Sequence, residues 1–200
     1  MSIGKSQAKA LADGFLDSLG SNKDGLVPRE SLGTIFIIAG EFIEDAQNNL
    51  NATNSNASGN LSKSLKIVNP TAKGLDIEMD FYGQFVNKGV KGTKSGQGLY
   101  AFKKSMPSKK MVESIQEWLK QAKKKSTNVN GKKTTSANEK KNKSLSEIDN
   151  AFAVARSILR KGIKATGFID KAAESTSKRL AEQLPEAFSI DVKNSLPPQI

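Results

Sequence analysis

The sequence has 200 residues, 36% of them hydrophobic, which is enough to form the core of one ordinary domain. Cysteine and histidine are absent, which excludes disulfides, thiolate zinc sites, cysteine or histidine nucleophiles and imidazole acid–base catalysis. The formal net charge of +11, from 31 basic and 20 acidic residues, favours attraction to a polyanion but would equally favour solubility.

No segment of the sequence predicts membrane insertion or secretion. The N-terminal residues lack the apolar region of a signal peptide, and the longest strongly apolar run, residues 35–39, is too short to cross a bilayer. We therefore expect a protein that is made and kept in a cytosol, or that leaves it by a route other than secretion, and that has no membrane partner.

Two helices are predicted in the first quarter of the chain. Apolar residues at helical spacing predict a short amphipathic helix over residues 6–19 and a longer one from Pro28 to Leu50. In the longer helix, Ile37 and Ile38 widen the apolar stripe beyond one face. A helix that is apolar on two sides usually packs against two partners.

Two strands are predicted next, over residues 61–68 and 75–81. The second alternates apolar and acidic residues, the period of a half-buried strand. Antiparallel pairing of the two would set Lys66 near the acidic row on the exposed face. That row could be interpreted as a metal site, but a solvated strand face with lysine neighbours is the simpler interpretation, so neither metal nor cofactor is predicted. Its members are Asp76, Glu78 and Asp80.

A glycine-rich corner follows the second strand. Phe85 and Val86, followed by Gly89, predict a helical turn closed by a glycine. Residues 99–102 predict a third strand. Three more helices are predicted, beginning at Pro107, after the capping box at residues 144–147, and at Phe168, the last of them ending near Pro185.

Residues 120–143 contain nine lysines and a single acid, Glu139, with no apolar period. This composition predicts a disordered loop or arm that contacts DNA or an acidic partner. A solvated spacer without a partner is the alternative. The predicted contact residues are Lys123, Lys124, Lys125, Lys132, Lys133, Lys140 and Lys141.

Three short motifs resemble, in order, signatures of the neck and tail-completion proteins of tailed bacteriophages. They are residues 59–65 (GNLSKSL), residues 82–89 (YGQFVNKG) and residues 162–172 (GIKATGFIDKA). The sequences of the three motifs are most similar to versions in phages of Bacteroidetes hosts, including crAss-like phages. Gly83 replaces the usual alanine, Asn87-Lys88 replaces an acid, and the third motif lacks the prolines that family members have.

The resemblance implies an α+β fold in which a long helix packs on a small antiparallel sheet of about three strands, with additional C-terminal helices. It implies a structural virion protein that forms a homo-oligomeric ring in the neck, around the DNA channel, next to the portal or adaptor and the tail proteins. A twelvefold ring is expected, with a sixfold ring as the alternative. Residues 1–26 would be an N-terminal extension, residues 27–188 the domain with its lysine-rich insert, and residues 189–200 a tail.

We expect a head-to-tail subunit interface at the corner and at the ends of the two C-terminal helices, because an open sheet edge tends to be covered or paired. A monomer whose helices cover one another is the alternative. No catalytic residues are predicted, and the function alternative to a neck protein is a non-specific nucleic-acid-binding protein that acts through the lysine-rich segment. The predicted interface residues are Tyr82, Phe85, Val86, Val90, Lys91, Phe168 and Ile169.

Overall fold

The computed structural model describes residues 3–19, 28–53, 59–71, 73–96, 98, 100–127 and 147–196. The elements are α1 (Ile3–Ser18), α2 (Arg29–Ala52), α3 (Asn60–Ser64), β1 (Lys66–Thr71), β2 (Gly74–Glu78), α4 (Gly83–Lys88), β3 (Val90–Lys91), α5 (Lys109–Thr127), α6 (Glu147–Lys161), β4 (Gly162–Ile163) and α7 (Phe168–Ser195). They form two compact units. Unit 1 comprises Met1–Thr53, Asn60–Gly83 and Gly167–Ile200, and unit 2 comprises Asn54–Gly59 and Gln84–Thr166.

The core of unit 1 is organised around α2, which packs against both α1 and α7 and also contacts β1 and β2. This confirms the prediction of a helix with two apolar sides. Ile38 is buried, whereas Ile37 stays 60% exposed. Helices α1 and α2 approach closely at Gly40, where an added Cβ would lie 2.9 Å from the Ala8 Cβ. Only glycine permits that separation without a shift of the backbone.

Helix α7 is the longest of the described helices, and it continues through Pro185 to Ser195. The predicted end near Pro185 is therefore wrong, and residues 189–195 are helical rather than part of a loose tail. A tertiary contact stabilises the part of the helix that follows the proline. Asp191 is buried and accepts hydrogen bonds from Glu30 N (2.8 Å), Ser31 N (2.8 Å) and Ser31 Oγ (2.6 Å). These groups begin α2, whose N-cap, Pro28, supplies no side-chain bond.

The sheet of unit 1 is the antiparallel pair β1–β2, with Ile67 opposite Ile77 and Lys66 opposite Glu78. The expected proximity of Lys66 to the acidic row is confirmed, since Lys66 Nζ lies 3.1 Å from Glu78 Oε2. Leu61 is buried as predicted but lies in α3 rather than in a strand. At the end of this short helix, Ser64 Oγ donates to Leu61 O (2.8 Å) and accepts from Asp80 N (3.0 Å), which ties the helix to the residues after β2.

Unit 2 contains a second antiparallel pair, β3–β4, and the packed helices α5 and α6. The predicted third strand is reduced to a single parallel bridge between Ala101 and Lys91. The described strands thus form two separate two-stranded sheets rather than one sheet of three. The α+β class with additional C-terminal helices is confirmed. Within the described ranges, no helix is both long and apolar enough to cross a membrane.

Candidate functional site

Among the described glycines of unit 2, the closest backbone approaches lie in a region that we call the glycine corner, residues 84–92 with residues 160–166. Strands β3 and β4 pair here, with Val90 opposite Ile163 and Lys91 opposite Gly162. Gly89 has a φ of +75°, and a Cβ on it would lie 2.7 Å from both Ala165 N and Ile163 O. The predicted glycine at the end of the short helix α4 is therefore confirmed, and its second role is close backbone approach.

Hydrogen bonds hold the two halves of the glycine corner together. Thr166 donates from both its backbone N (3.1 Å) and its Oγ1 (2.9 Å) to Val86 O, one of the last carbonyls of α4. The end of that short helix is therefore satisfied by a residue far away in sequence. On the other side, Lys91 donates to Tyr100 O (2.9 Å) and accepts from Phe102 N (3.0 Å). The corner is thus fixed mainly by backbone groups.

Local geometry accounts for two of the departures from the signatures that these motifs resemble. Gly167 adopts a φ of +62° before α7, a conformation that proline cannot reach. Lys171, in the first turn of α7, donates its backbone N–H to Gly167 O (2.9 Å), a bond that a proline could not donate. At Gly83, an added Cβ would lie 2.7 Å from Met79 Sδ and 3.0 Å from Leu61 Cδ1. The turn before α7 is thus built without prolines, and the side chains around Gly83 occupy the space that an alanine methyl would need.

Two of the predicted interface residues are packed within their own unit. Phe168 is completely buried in unit 1, and Val90 is buried in unit 2. Their side chains therefore cannot form an interface with another subunit, which corrects the prediction for both. Phe168 and Ala172 of the third motif are both core residues, so packing within unit 1 accounts for them.

The other predicted interface residues keep exposed surface. Tyr82 is 42% exposed, and partial burial, with the nearby charge of Asp80, raises the pKa of its phenol. Lys91 is exposed, whereas Phe85, Val86 and Ile169 are half-buried. The ring of Phe85 already makes an edge contact with Tyr100 at 4.9 Å within unit 2.

The lysine-rich segment is only partly within the described residues. Residues 120–127 continue α5, so the prediction of a loop is wrong for this part, which includes Lys123, Lys124 and Lys125. The remaining predicted contacts lie outside the described residues. They are Lys132, Lys133, Lys140 and Lys141.

A concave surface of the glycine corner was missed by sequence reasoning. It has a volume of about 550 Å³, and four lysines line it together with Tyr100 and residues of β3 and β4. The sequence did contain a signal for this surface, because three of these lysines directly precede glycines at which two backbone segments approach closely. We call this surface the lysine concavity, and its lysines are Lys88, Lys91, Lys161 and Lys164.

The acidic row of β2 is not gathered into a metal site. Within the described part of the chain, no group of three or more Asp or Glu side chains lies close enough to hold a metal ion. Glu78 instead pairs with Lys66, and Asp76 accepts a hydrogen bond from Asn69 Nδ2 (3.3 Å). Comparisons of the chain with protein-family models, with curated proteins and with solved structures found no match.

Proposed function

We propose that this chain is a non-enzymatic structural protein of a tailed-phage virion, which assembles head-to-tail into a ring in the neck. The observation that carries the proposal is the pairing of β3 with β4. Strand β3 directly follows the second signature and β4 begins the third, although they are far apart in the sequence. Motifs that resemble one family in order and also meet in space support a shared fold more strongly than the motifs alone.

The first signature supports the same interpretation. Its Leu61 is buried in unit 1 next to Gly83 of the second signature. Each signature therefore acts through packing or turn geometry, which is the role expected of motifs in a structural protein. The sequence offers no histidine or cysteine for catalysis. A nuclease, protease or NTPase activity that one Asp or Glu substitution abolishes would contradict the non-enzymatic role.

Exposed apolar side chains supply surface for subunit contacts. Tyr82 and its neighbour Phe81 are both exposed at the turn after β2. Large apolar residues that stay exposed side by side commonly mark an interface. A heterologous contact of this kind closes into a ring if its rotation allows, and a twelvefold or sixfold ring remains our expectation.

The test is the assembly state of the purified chain and of one exposed-site variant. We expect Tyr82→Glu to leave a folded subunit that no longer joins its neighbours, because it places a charge in the proposed contact. Met106→Glu is the matched control, since Met106 is 60% exposed but lies outside the turn and the glycine corner. Phe85 and Val90 are unsuitable probes because both already pack within unit 2.

Native mass measurement and electron microscopy read out the assembly. Rings from the wild type and from Met106→Glu, but not from Tyr82→Glu, are the expected result. Wild-type protein that stays monomeric at high concentration, and is also absent from purified virions of the phage that encodes it, would overturn the proposal. Absence from virions together with DNA binding by the monomer would favour the alternative, a free nucleic-acid-binding protein.

A further inference from the structure

The two units carry opposite net charges. Unit 2 contains 20 basic and 5 acidic residues, a net charge of +15, whereas unit 1 contains 11 basic and 15 acidic residues, a net charge of −4. Only part of the excess comes from the lysine-rich segment. The lysine concavity adds four cations in a folded region of unit 2, and among the described residues that line it none is acidic.

The lysines of the concavity start from a fixed backbone. Lys91 lies in β3, hydrogen-bonded to residues on either side of Ala101. Lys161 ends α6 directly before β4, and Lys164 lies two residues before Thr166, which is bonded to Val86 O. Because these backbone positions are set by the fold, little main-chain entropy is lost when an anion orders the side chains.

We propose that the lysine concavity binds the sugar–phosphate backbone of duplex DNA without regard to sequence. Lysine ammonium groups contact phosphate as point charges, and such contacts position DNA without reading its bases. A single strand would require aromatic rings for base stacking. The lining aromatic, Tyr100, is held edge-on to Phe85, and its hydroxyl donates to Gln84 Oε1 (3.1 Å), so it is already engaged within the protein.

Another copy of the chain fits the concavity less well than DNA does. A net charge of −4 on unit 1 would leave most of the +15 of unit 2 uncompensated, whereas a duplex carries a continuous row of phosphates. This inference rests on the proposed neck function in one respect only, which is that the duplex is the phage genome.

The experiment measures binding of a mixed-sequence duplex of about 30 base pairs to the full chain over a range of salt concentrations. The slope of log K against log salt falls by roughly 0.9 for each phosphate contact that is lost. We expect the variant with glutamine at all four lysines of the concavity to lose about three to four units of slope. Replacing the same four lysines with arginine should preserve the slope.

The matched control replaces four other exposed lysines of unit 2 with glutamine and removes the same charge. These lysines are Lys103, Lys104, Lys109 and Lys110. We expect the control to lose less than one unit of slope. The variant Lys161→Gln/Lys164→Gln, with an expected loss of about two units, serves if the fourfold variant does not fold.

An unchanged slope in the concavity variants, or an equal loss in the control, would overturn the proposal. Loss of self-association with unchanged DNA binding would also overturn it and would assign the concavity to a second copy of the chain. Ring assembly is measured separately by mass. A chain that forms no rings but binds DNA through the concavity contradicts the neck function alone, and rings without such binding contradict this inference alone.

Discussion

Units 1 and 2 differ in what holds them together. The largest fully buried side chains of the described residues all belong to unit 1, and they are Phe36, Phe168, Ile38, Ile43, Leu50 and Asp191. Among the described residues of unit 2 the buried apolar side chains are small or medium-sized, and a Cβ added at Gly89, Gly92 or Gly162 would collide with backbone atoms. Unit 1 therefore depends on side-chain volume, whereas the corner of unit 2 depends on the absence of side chains.

The largest effect should come from emptying the core of unit 1. We expect Phe168→Ala to lower the free energy of unfolding by about 3–5 kcal/mol, because it removes a completely buried ring and leaves a cavity. Phe188→Ala on the same helix is the matched control. Its ring is 51% exposed, so a loss of about 1 kcal/mol or less is expected. Urea denaturation checks both, and equal losses would contradict the assignment of Phe168 to the core.

Asp191 is the polar residue among these fully buried side chains of unit 1. Its removal should have the second-largest effect on stability. Asp191→Ala leaves the Glu30 and Ser31 groups at the start of α2 without their acceptor. We expect a loss of about 2–4 kcal/mol, because buried donors without a partner keep their full desolvation cost. Glu186→Ala, an exposed acid on the same helix, should change stability by less than about 0.5 kcal/mol.

Hydrogen exchange would locate the Asp191 effect. Faster exchange should concentrate in the first turn of α2 and in the part of α7 that follows Pro185. If both regions kept wild-type protection, the hydrogen bonds from Glu30 and Ser31 to Asp191 would not be what stabilises α7 beyond Pro185.

The smallest expected effect is local to unit 2. Gly162 has a φ of +90°, and a Cβ there would collide with backbone atoms of β3, whereas Gly96 has a φ of +77° and open space around it. Gly162→Ala should therefore cost about 2 kcal/mol and Gly96→Ala about 1 kcal/mol, since only the first adds a collision to the backbone strain.

The readout for this pair is amide exchange of the glycine corner. Faster exchange at residues 84–92 in Gly162→Ala, with the core of unit 1 unchanged, would support the contrast between the units. The same exchange rates in both variants would show that the close approach is not what stabilises the corner.

Local features of the fold could be predicted wherever neighbouring residues decide the structure. The 3.6-residue period located α1 and α2, and the alternation of apolar and acidic residues located β2 and placed Lys66 near its acidic row, although not at Glu78 in particular. The turn closed by Gly89 was also predictable, because only glycine adopts its positive φ without strain. The candidate site was predicted less well, since the lysine concavity forms only when β3 and β4 meet.

The sequence by itself determined the helices apart from α3 and the ends of α5 and α7, together with the acidic strand, the glycine turn and the excess of basic residues. Each of these depends on the period, composition or conformational range of adjacent residues. Only the tertiary structure decided that α7 continues past Pro185, that Phe168 lies in the core, and that four lysines share one concavity. The physical reason is the same in each case. A buried hydrogen bond, a filled core position or a shared surface depends on groups that the chain brings together only after it folds.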